Sequence, residues 1–316
     1  MRLVFMGTPQ FAAVSLQALL ESSHRVVGVV TQPDRPRGRG RKMAFSPVKE
    51  KALEYGLPLL QPRDLKDPEF LAALGSWEPE LIVVVAFGRL LPRAVLNLPP
   101  RGCINLHASL LPRYRGAAPI QRAIIGGEKV TGVTTIYMTE ELDAGDIILQ
   151  ERVDIPPEMT AGELHDELAV VGARLLVRTV DLIAAGRAPR FPQEDGQATY
   201  APPLKPEEEE IKWQERADKI VNLIRGMNPL PGAFTWREGR RLKIFGARVL
   251  EDEGESSVGG RPGEVVAVRP REGFVVQAGQ GQVLITAVQP PGKRIMTAVE
   301  YLRGYPLKVG EQLGCE

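Results

Sequence analysis

Asn105 and His107 stand two residues apart in "INLHASLLPRYRG", residues 104–116, where an apolar run breaks into a polar, proline-bearing, basic loop. The whole chain holds only three histidines and four asparagines. On a β-strand, residues i and i+2 point to the same face. The strand ends just after His107, so both side chains project near a carboxyl edge of a sheet. In open α/β sheets, ligands bind in the crevice outside those edges. An amide N–H and an imidazole aimed at one point suit stabilisation of an oxyanion, with the imidazole also able to move a proton. A carboxylate beside the imidazole would fix its tautomer and favour its charged form. The turn in "TEELDAGDI" offers Asp143 and Asp146, and spacing does not choose between them. The plain alternative is that Asn105 ends a strand, His107 packs, and Asp143-Ala-Gly is turn chemistry.

Other chemistries find less support. Gly7-Thr8-Pro9-Gln10 follows the first apolar run but lacks the G-x-G-x-x-G of dinucleotide sites, and no Walker-type phosphate loop is present. Thr8 instead reads as a helix N-cap with Pro9 at the first helical position. Ser109 lies near His107 without a G-x-S-x-G elbow, which argues against a covalent serine nucleophile. No H-E-x-x-H and no Cys/His cluster occurs, so no metal is expected. His24 and His165 have no polar companions at useful spacing and read as surface residues.

The elements that must position Asn105 and His107 follow from hydrophobic periodicity. "RLVFMG", "HRVVGVVTQ", "LPLLQP", "LIVVVAFG" and "GCINLHAS" read as strands, several too continuously apolar for a half-wet sheet. Between them, "QFAAVSLQALLES", "SPVKEKALEYG" and "DPEFLAALGSW" read as helices. The alternation predicts a Rossmann-like α/β fold, a mostly parallel sheet with helices on both faces. "AAPIQRAIIGG" is a further helix. "GVTTIYMTEELDAGDIILQERVDI" holds two close strands, which predicts antiparallel additions to the sheet. A long amphipathic helix runs from Thr160 to Gly186. Residues 188–210 carry five prolines and no hydrophobic period, which reads as a linker. Beyond them, a helix-like "WQERADKIVNLIRG" precedes five short strands punctuated by Gly and Pro. That pattern predicts a smaller C-terminal β-barrel of the OB-like kind. The expected division is 1–189, a linker over 190–210, and 211–316.

The bulk numbers exclude more than they specify. The 316 residues suffice for two cores, with 43% hydrophobic and 25% charged content. A net charge of +1 says nothing by itself about polyanions. The distribution says more. Arg35, Arg37, Arg39, Arg41 and Lys42 place five cations in "DRPRGRGRK", a loop between a strand and a helix. Such a loop suits a phosphate backbone, although many charge runs are only solvated. Beyond residue 210 there are 16 basic against 12 acidic residues, a sign that agrees with a barrel touching nucleic acid. Lys205, Lys293 and Arg294 add cations at loop positions. The two cysteines, Cys103 and Cys315, show no metal spacing and fit a reducing cytosol. The first apolar run is too short for a signal peptide, and no stretch nears the roughly 20 apolar residues a bilayer requires. A cytoplasmic protein with no membrane partner is expected.

Taken together, "FMGTPQFA", "TQPDRPRGRGRK", "AFGRLLP", "INLHASLLPRYRGAAPIQRAI" and "TGVTTIYMTEELDAGDI" resemble the methionyl-tRNA formyltransferase family. The likeness covers essentially the whole chain. Its Asn-x-His…Ser-Leu-Leu-Pro core is shared with other enzymes that take formyl groups from 10-formyltetrahydrofolate. The resemblance implies that Asn105, His107 and Asp143 form the catalytic trio, and that Ser109, Leu110, Leu111 and Pro112 line the folate site. It implies that the basic loop contacts the acceptor stem of initiator methionyl-tRNA, with Arg39 as its key arginine; the charge pattern adds Lys205 in the linker as a further candidate cation. It further implies transfer of a formyl group from 10-formyltetrahydrofolate to the methionyl α-amine; a monomer is expected. Tyr114 departs from the family by standing where many members have tryptophan. A same-family enzyme acting on an amino-sugar or on water is the rival, and the cationic loop and barrel speak against it, since a small acceptor needs neither. A nucleic-acid-binding protein with an inactive Rossmann-like domain is disfavoured by the intact Asn-x-His and Asp143.

Overall fold

The computed structural model of the chain describes residues 1–37, 42–250 and 260–314. In chain order come β1 (Arg2–Gly7), α1 (Gln10–Leu20), β2 (Arg25–Val30), β3 (Arg35–Arg37), β4 (Lys42–Ala44), α2 (Pro47–Glu54) and β5 (Leu59–Leu60). Next are α3 (Pro68–Ser76), β6 (Leu81–Val85), α4 (Arg93–Leu96), β7 (Cys103–His107), α5 (Pro119–Ile125), β8 (Val130–Tyr137), β9 (Ile147–Asp154) and α6 (Ala161–Ala184). The remainder holds α7 (Ala217–Gly226), β10 (Phe234–Arg237), β11 (Arg240–Leu250), β12 (Val265–Arg269), β13 (Gly273–Gln277), β14 (Gln282–Gln289), β15 (Met296–Thr297) and α8 (Ala298–Gly304).

Seven strands form one sheet in the order β5-β2-β1-β6-β7-β8-β9. The first five are parallel, and β8 and β9 run antiparallel, as the two close strands in the sequence predict. The continuous apolar runs of β1 and β6 are buried on both faces. Val4, Met6, Ile82, Val84 and Cys103 share one face with Phe70, Leu74 and Val95 of α3 and α4. Leu3, Phe5, Val83 and Ile104 alternate to the other face and are also buried. On that side Leu106 packs so closely on α6 that a Cβ at Gly172 would lie 2.9 Å from it. The strand order reverses between β1 and β6, which places the switch-point crevice one strand away from β7.

Local sequence explains most helix starts. Ser46 accepts a bond from Lys49 N–H at 3.1 Å to open α2, and Asp67 accepts one from Glu69 N–H at 3.0 Å to open α3. Thr160 and Glu163 cap α6 reciprocally. Thr8 does not cap α1. Pro9 takes the cap position in extended geometry and the helix starts one residue later, at Gln10, out of reach of the Thr8 hydroxyl. His24 is not a surface residue either. Its side chain is 5% exposed, with Nε2 2.9 Å from Asp181 and Nδ1 3.3 Å from the terminal amine of Met1. His165 is half-buried, edge-on to Phe11.

The chain forms two compact units, the first comprising Met1–Pro119, Val130–Asp154 and His165–Pro202. The second comprises Ile120–Lys129, Ile155–Leu164 and the described residues from Pro203 onward. Its antiparallel sheet follows the path β10-β11-β14-β13-β12, with β15 beside β14. Ala217, Ile220, Val221 and Ile224 put one stripe of α7 into its core beside Trp213, Phe274 and Ile285. No strand ladder joins β10 to β12. The span is made by residues 310–314: Val265 N–H donates to Glu311 O at 2.8 Å on one side, and Gly314 N–H to Trp236 O at 2.9 Å on the other. Leu313, 1% exposed, plugs the seam.

Within this second unit Arg122 of α5 grips Glu208 with two parallel bonds of 2.5 and 2.9 Å, and also donates to Pro203 O at 3.1 Å. The Arg122 bonds hold the Glu208 carboxyl down to about 2 from its usual 4.5. A lowered carboxyl pKa gives stability that is present above the unfolded value and lost as pH falls through the folded one. Glu208 is 36% exposed, so solvent screens the pair to about 1 kcal/mol. Arg122→Ala should therefore show its full destabilisation in urea unfolding at pH 7. The penalty should shrink between pH 4.5 and pH 2 to the remainder carried by the Pro203 bond.

Candidate active site

Asn105 and His107 share a face of β7 at its carboxyl end, in register with Ile136 and Thr134 of β8. Both reach Asp143. Asn105 Nδ2 lies 3.4 Å from Asp143 Oδ1, and His107 Nδ1 lies 3.5 Å from Asp143 Oδ2. Gly116 N–H donates to Oδ2 at 2.9 Å. The His107 and Asp143 side chains are only 7% and 12% exposed. A buried carboxylate without donors is costly, and here the donors come from β7 and from the loop that follows it. His107 Nε2 lies 2.9 Å from Tyr114 O. A carbonyl only accepts, so Nε2 carries a proton and Nδ1 is the nitrogen turned to the carboxylate. Contacts of 3.4–3.5 Å are the loose kind that tighten when a reacting group arrives.

The turn chooses between the two aspartates. Asp143 adopts φ +51°, left-handed backbone that aspartate tolerates better than most side chains, and this turns its carboxylate back over β7. The turn then closes tightly, because a Cβ at Gly145 would lie 1.7 Å from Tyr137 O. Asp146 faces elsewhere, 3.4 Å from Arg190. Tyr114 is also left-handed, at φ +60°. For a bulky side chain that is strained, and its carbonyl is the one that holds His107.

Residues 109–112 are organised from beneath. Ser109 is fully buried and its hydroxyl donates to Arg113 O at 2.6 Å; Leu111 is 3% exposed. Leu110 and Pro112 are half-buried. The hub is Thr134, opposite His107 and fully buried. Its hydroxyl donates to Ser109 O at 2.6 Å and accepts from Leu111 N–H at 3.1 Å and Gln150 Nε2 at 3.0 Å. Sequence reasoning passed over Thr134 and Gln150. A polar residue inside an apolar strand at the register of a candidate site is the signal that would have found Thr134. Cys103, on the same strand as the pair, is buried against Val95 O, and burial pushes its thiol up to about 12, which removes it as a nucleophile.

The cationic stretch is more ordered at its base than a plain loop. β3 and β4 pair antiparallel, with Arg35 opposite Ala44 and Arg37 opposite Lys42. Arg39 and Arg41 lie outside the described residues. The base is pinned. Lys49 Nζ reaches Asp34 Oδ2 at 2.5 Å, and Gln61 Nε2 donates to Asp34 Oδ1 at 2.9 Å and to Gln32 O at 2.9 Å. The Lys49 bond holds the Asp34 carboxyl below its usual range. Gln32 in turn donates to Phe87 O at 2.7 Å, tying the end of β2 to the turn after β6. Lys205 is exposed, at the start of a short 3-10 turn over Pro206–Glu209. Among the described residues no cluster of three or more His, Cys, Asp or Glu could hold a metal. Among them, too, no helix is long and apolar enough to cross a membrane. Thr134→Val keeps shape but strips the hub of its bonds. It should cost about 1–3 kcal/mol in equilibrium unfolding, a loss that an unchanged denaturation midpoint would disprove.

Residues 1–180 match the formyl transferase family, and residues 203–306 match the formyl transferase C-terminal domain. The methionyl-tRNA formyltransferase of Moorella thermoacetica is 64% identical over 315 residues, covering 100% of both chains. That of Pelotomaculum thermopropionicum is 53% identical over 99% of each. Among solved structures, HypX from Aquifex aeolicus in complex with tetrahydrofolic acid matches with a TM-score of 0.63 and 19% identity, over 99% of this chain and 48% of that one. At that identity the likeness speaks for the fold. With a full-length relative at 64% identity and both domains matched, the chain belongs to the formyl transferase family, among the methionyl-tRNA formyltransferases.

Proposed function

We propose that this chain transfers a formyl group from 10-formyltetrahydrofolate to the α-amine of initiator methionyl-tRNA. The observation that carries the reading is the convergence of the Asn105 amide, the His107 imidazole and the Asp143 carboxylate at the carboxyl end of β7. The folate supplies the formyl group, bound through its N10. The donor set fits a carbonyl oxygen that gains negative charge: Asn105 offers an amide N–H, and His107 offers Nδ1. Asp143, 3.5 Å from that nitrogen, holds the imidazole in place to face the growing charge. As the amine bonds to the formyl carbon, the carbon–N10 bond breaks; the proton the amine loses is balanced by the one N10 gains, and the carboxylate beside His107 is the group available to relay it. Burial of the trio strengthens each of these interactions relative to water. Ser109 to Pro112 lie beside the trio and line the folate site. The side chains of Ser109 and Leu111 point inward, so the contact falls to Leu110, Pro112 and the main chain.

The acceptor end of the tRNA must bring its amine to this edge. The cationic hairpin leaves the sheet after β2, which is parallel to its neighbours, so it rises from the same carboxyl edge as the trio. Arg35, Arg37, Arg39, Arg41 and Lys42 are the cations offered to the tRNA phosphates, with Lys205 as a further one. The anchoring of Asp34 by Lys49 and Gln61 fixes where the hairpin starts.

Removing one oxyanion donor lowers turnover by roughly 100- to 1,000-fold. Asn105→Ala and His107→Ala should each fall that far in transfer of radiolabelled formyl from 10-formyltetrahydrofolate to methionyl-tRNA, with unchanged circular dichroism. Near-wild-type turnover in either folded variant would sink the assignment. Arg39→Ala should weaken methionyl-tRNA binding and reduce its logarithmic salt dependence by about one. A salt slope equal to that of the wild type would remove Arg39 from the phosphate contacts.

A further inference from the structure

We propose that Arg115 and Gln193 are positioning residues for formyl transfer: together they clamp the backbone of the Asp143 turn and set the carboxylate against His107. The inference rests on the catalytic reading of Asp143 given above.

The Gln193 side-chain amide spans the turn. Its Nε2 donates to Asp143 O and to Gly145 O, both at 2.8 Å. Its Oε1 accepts from Arg115 Nε at 3.2 Å and from Arg115 Nη2 at 2.9 Å. The orientation of the amide is therefore determined, since carbonyls can only accept and a guanidinium can only donate. Arg115 is 4% exposed, and its carboxylate partner among the described residues, Asp195 at 2.9 Å, stands in solvent. A buried guanidinium is costly to leave unsatisfied. Here it is spent on an uncharged glutamine that grips the two carbonyls flanking the left-handed turn.

Both ends of the clamp are held by main chain. Residues 191–201 run along the first unit: Phe191 and Ile147 exchange bonds of 2.8 and 2.9 Å, and Arg115 N–H donates to Thr199 O at 2.8 Å. Ala201 N–H donates to Arg115 O at 2.7 Å. Thr199 Oγ1 accepts from Tyr114 N–H at 2.8 Å, and Tyr114 O holds His107. Gly116, whose N–H binds the Asp143 carboxylate, lies so close to Ala201 that a Cβ would stand 2.8 Å from its carbonyl. The imidazole, the carboxylate and the left-handed turn are thus set from one segment. A misplacement of about 1 Å in such groups costs turnover on the order of 100-fold.

Gln193→Glu keeps the size and the pairing with Arg115 but replaces the donor by an oxygen that faces two carbonyls. Gln193→Ala removes the grip altogether. Both should lower kcat by roughly 10- to 100-fold, with KM for 10-formyltetrahydrofolate and methionyl-tRNA held within about threefold and secondary structure intact. The decisive measurement is a double-mutant cycle with Asp143→Ala. If the clamp acts through Asp143, Gln193→Ala adds nothing to the loss already caused by Asp143→Ala. Multiplicative losses would overturn the clamp, as would unchanged kcat in both Gln193 variants beside an inactive Asp143→Ala. Full activity in Asp143→Ala would overturn the catalytic reading itself and the clamp with it. Should Arg115→Ala fail to fold, Arg115→Lys, which retains the charge without the planar fork, should give the same selective loss in kcat; a loss expressed only in KM would count against the proposal.

Discussion

A nearly buried carboxylate has to find donors, and the architecture around the site follows from how Asp143 finds them. One comes from the main chain at Gly116 and one from the Asn105 amide, with the His107 imidazole 3.5 Å from the same carboxylate. Each constrains a different piece of chain. Gly116 must approach without a side chain, the pair on β7 must share a face, and Asp143 must turn left-handed to present its oxygens. The parallel sheet supplies the rigid edge on which this is possible. The antiparallel β8 contributes Thr134, whose hydroxyl holds the main chain of residues 109–111 in place. Stability and function meet here, since the bonds that satisfy buried groups also fix the directions in which Asn105 and His107 point.

Much of this was legible in the sequence. The pairing of Asn105 with His107 was readable because the period of a strand is two. The sheet was readable because runs such as "LIVVVAFG" can only be buried on both faces. The choice of Asp143 over Asp146 was not, since both sit in one turn and the decision lies in a backbone angle and in Arg190. α8 was overlooked although Thr297 and Glu300 form a capping box whose T-x-x-E spacing is visible in the sequence. Thr8 was misjudged because its neighbour Pro9 is as comfortable in the extended cap position as in the first turn. His24 was misjudged because its partner, Asp181, is 157 residues away. The hairpin at the base of the cationic stretch was hidden by its composition, since Arg, Pro and Gly carry no strand period.

The hardest part to read was Gln193. It lies in a proline-rich stretch without hydrophobic period, whose form comes from pairing with chain far away, at Ile147 and Arg115. Such a segment has no local signature, because its bonds are made by main chain and by one amide. The same holds for the seam of the second unit, where residues 310–314 stand in for a strand without the length or alternation of one.

The segment over 191–201 also bears on how this architecture could be recombined. The match to the N-terminal formyl transferase family ends at residue 180, and the seven-stranded sheet is already complete by Asp154. A chain exchanged at residue 180 would inherit every strand, yet the glutamine over the Asp143 turn would come from the incoming piece. The hydrogen-bonded surroundings of the candidate site are thus longer than the sheet that carries it: they extend to Ala201, and sequence drift in an apparently featureless connector would reach the Asp143 turn.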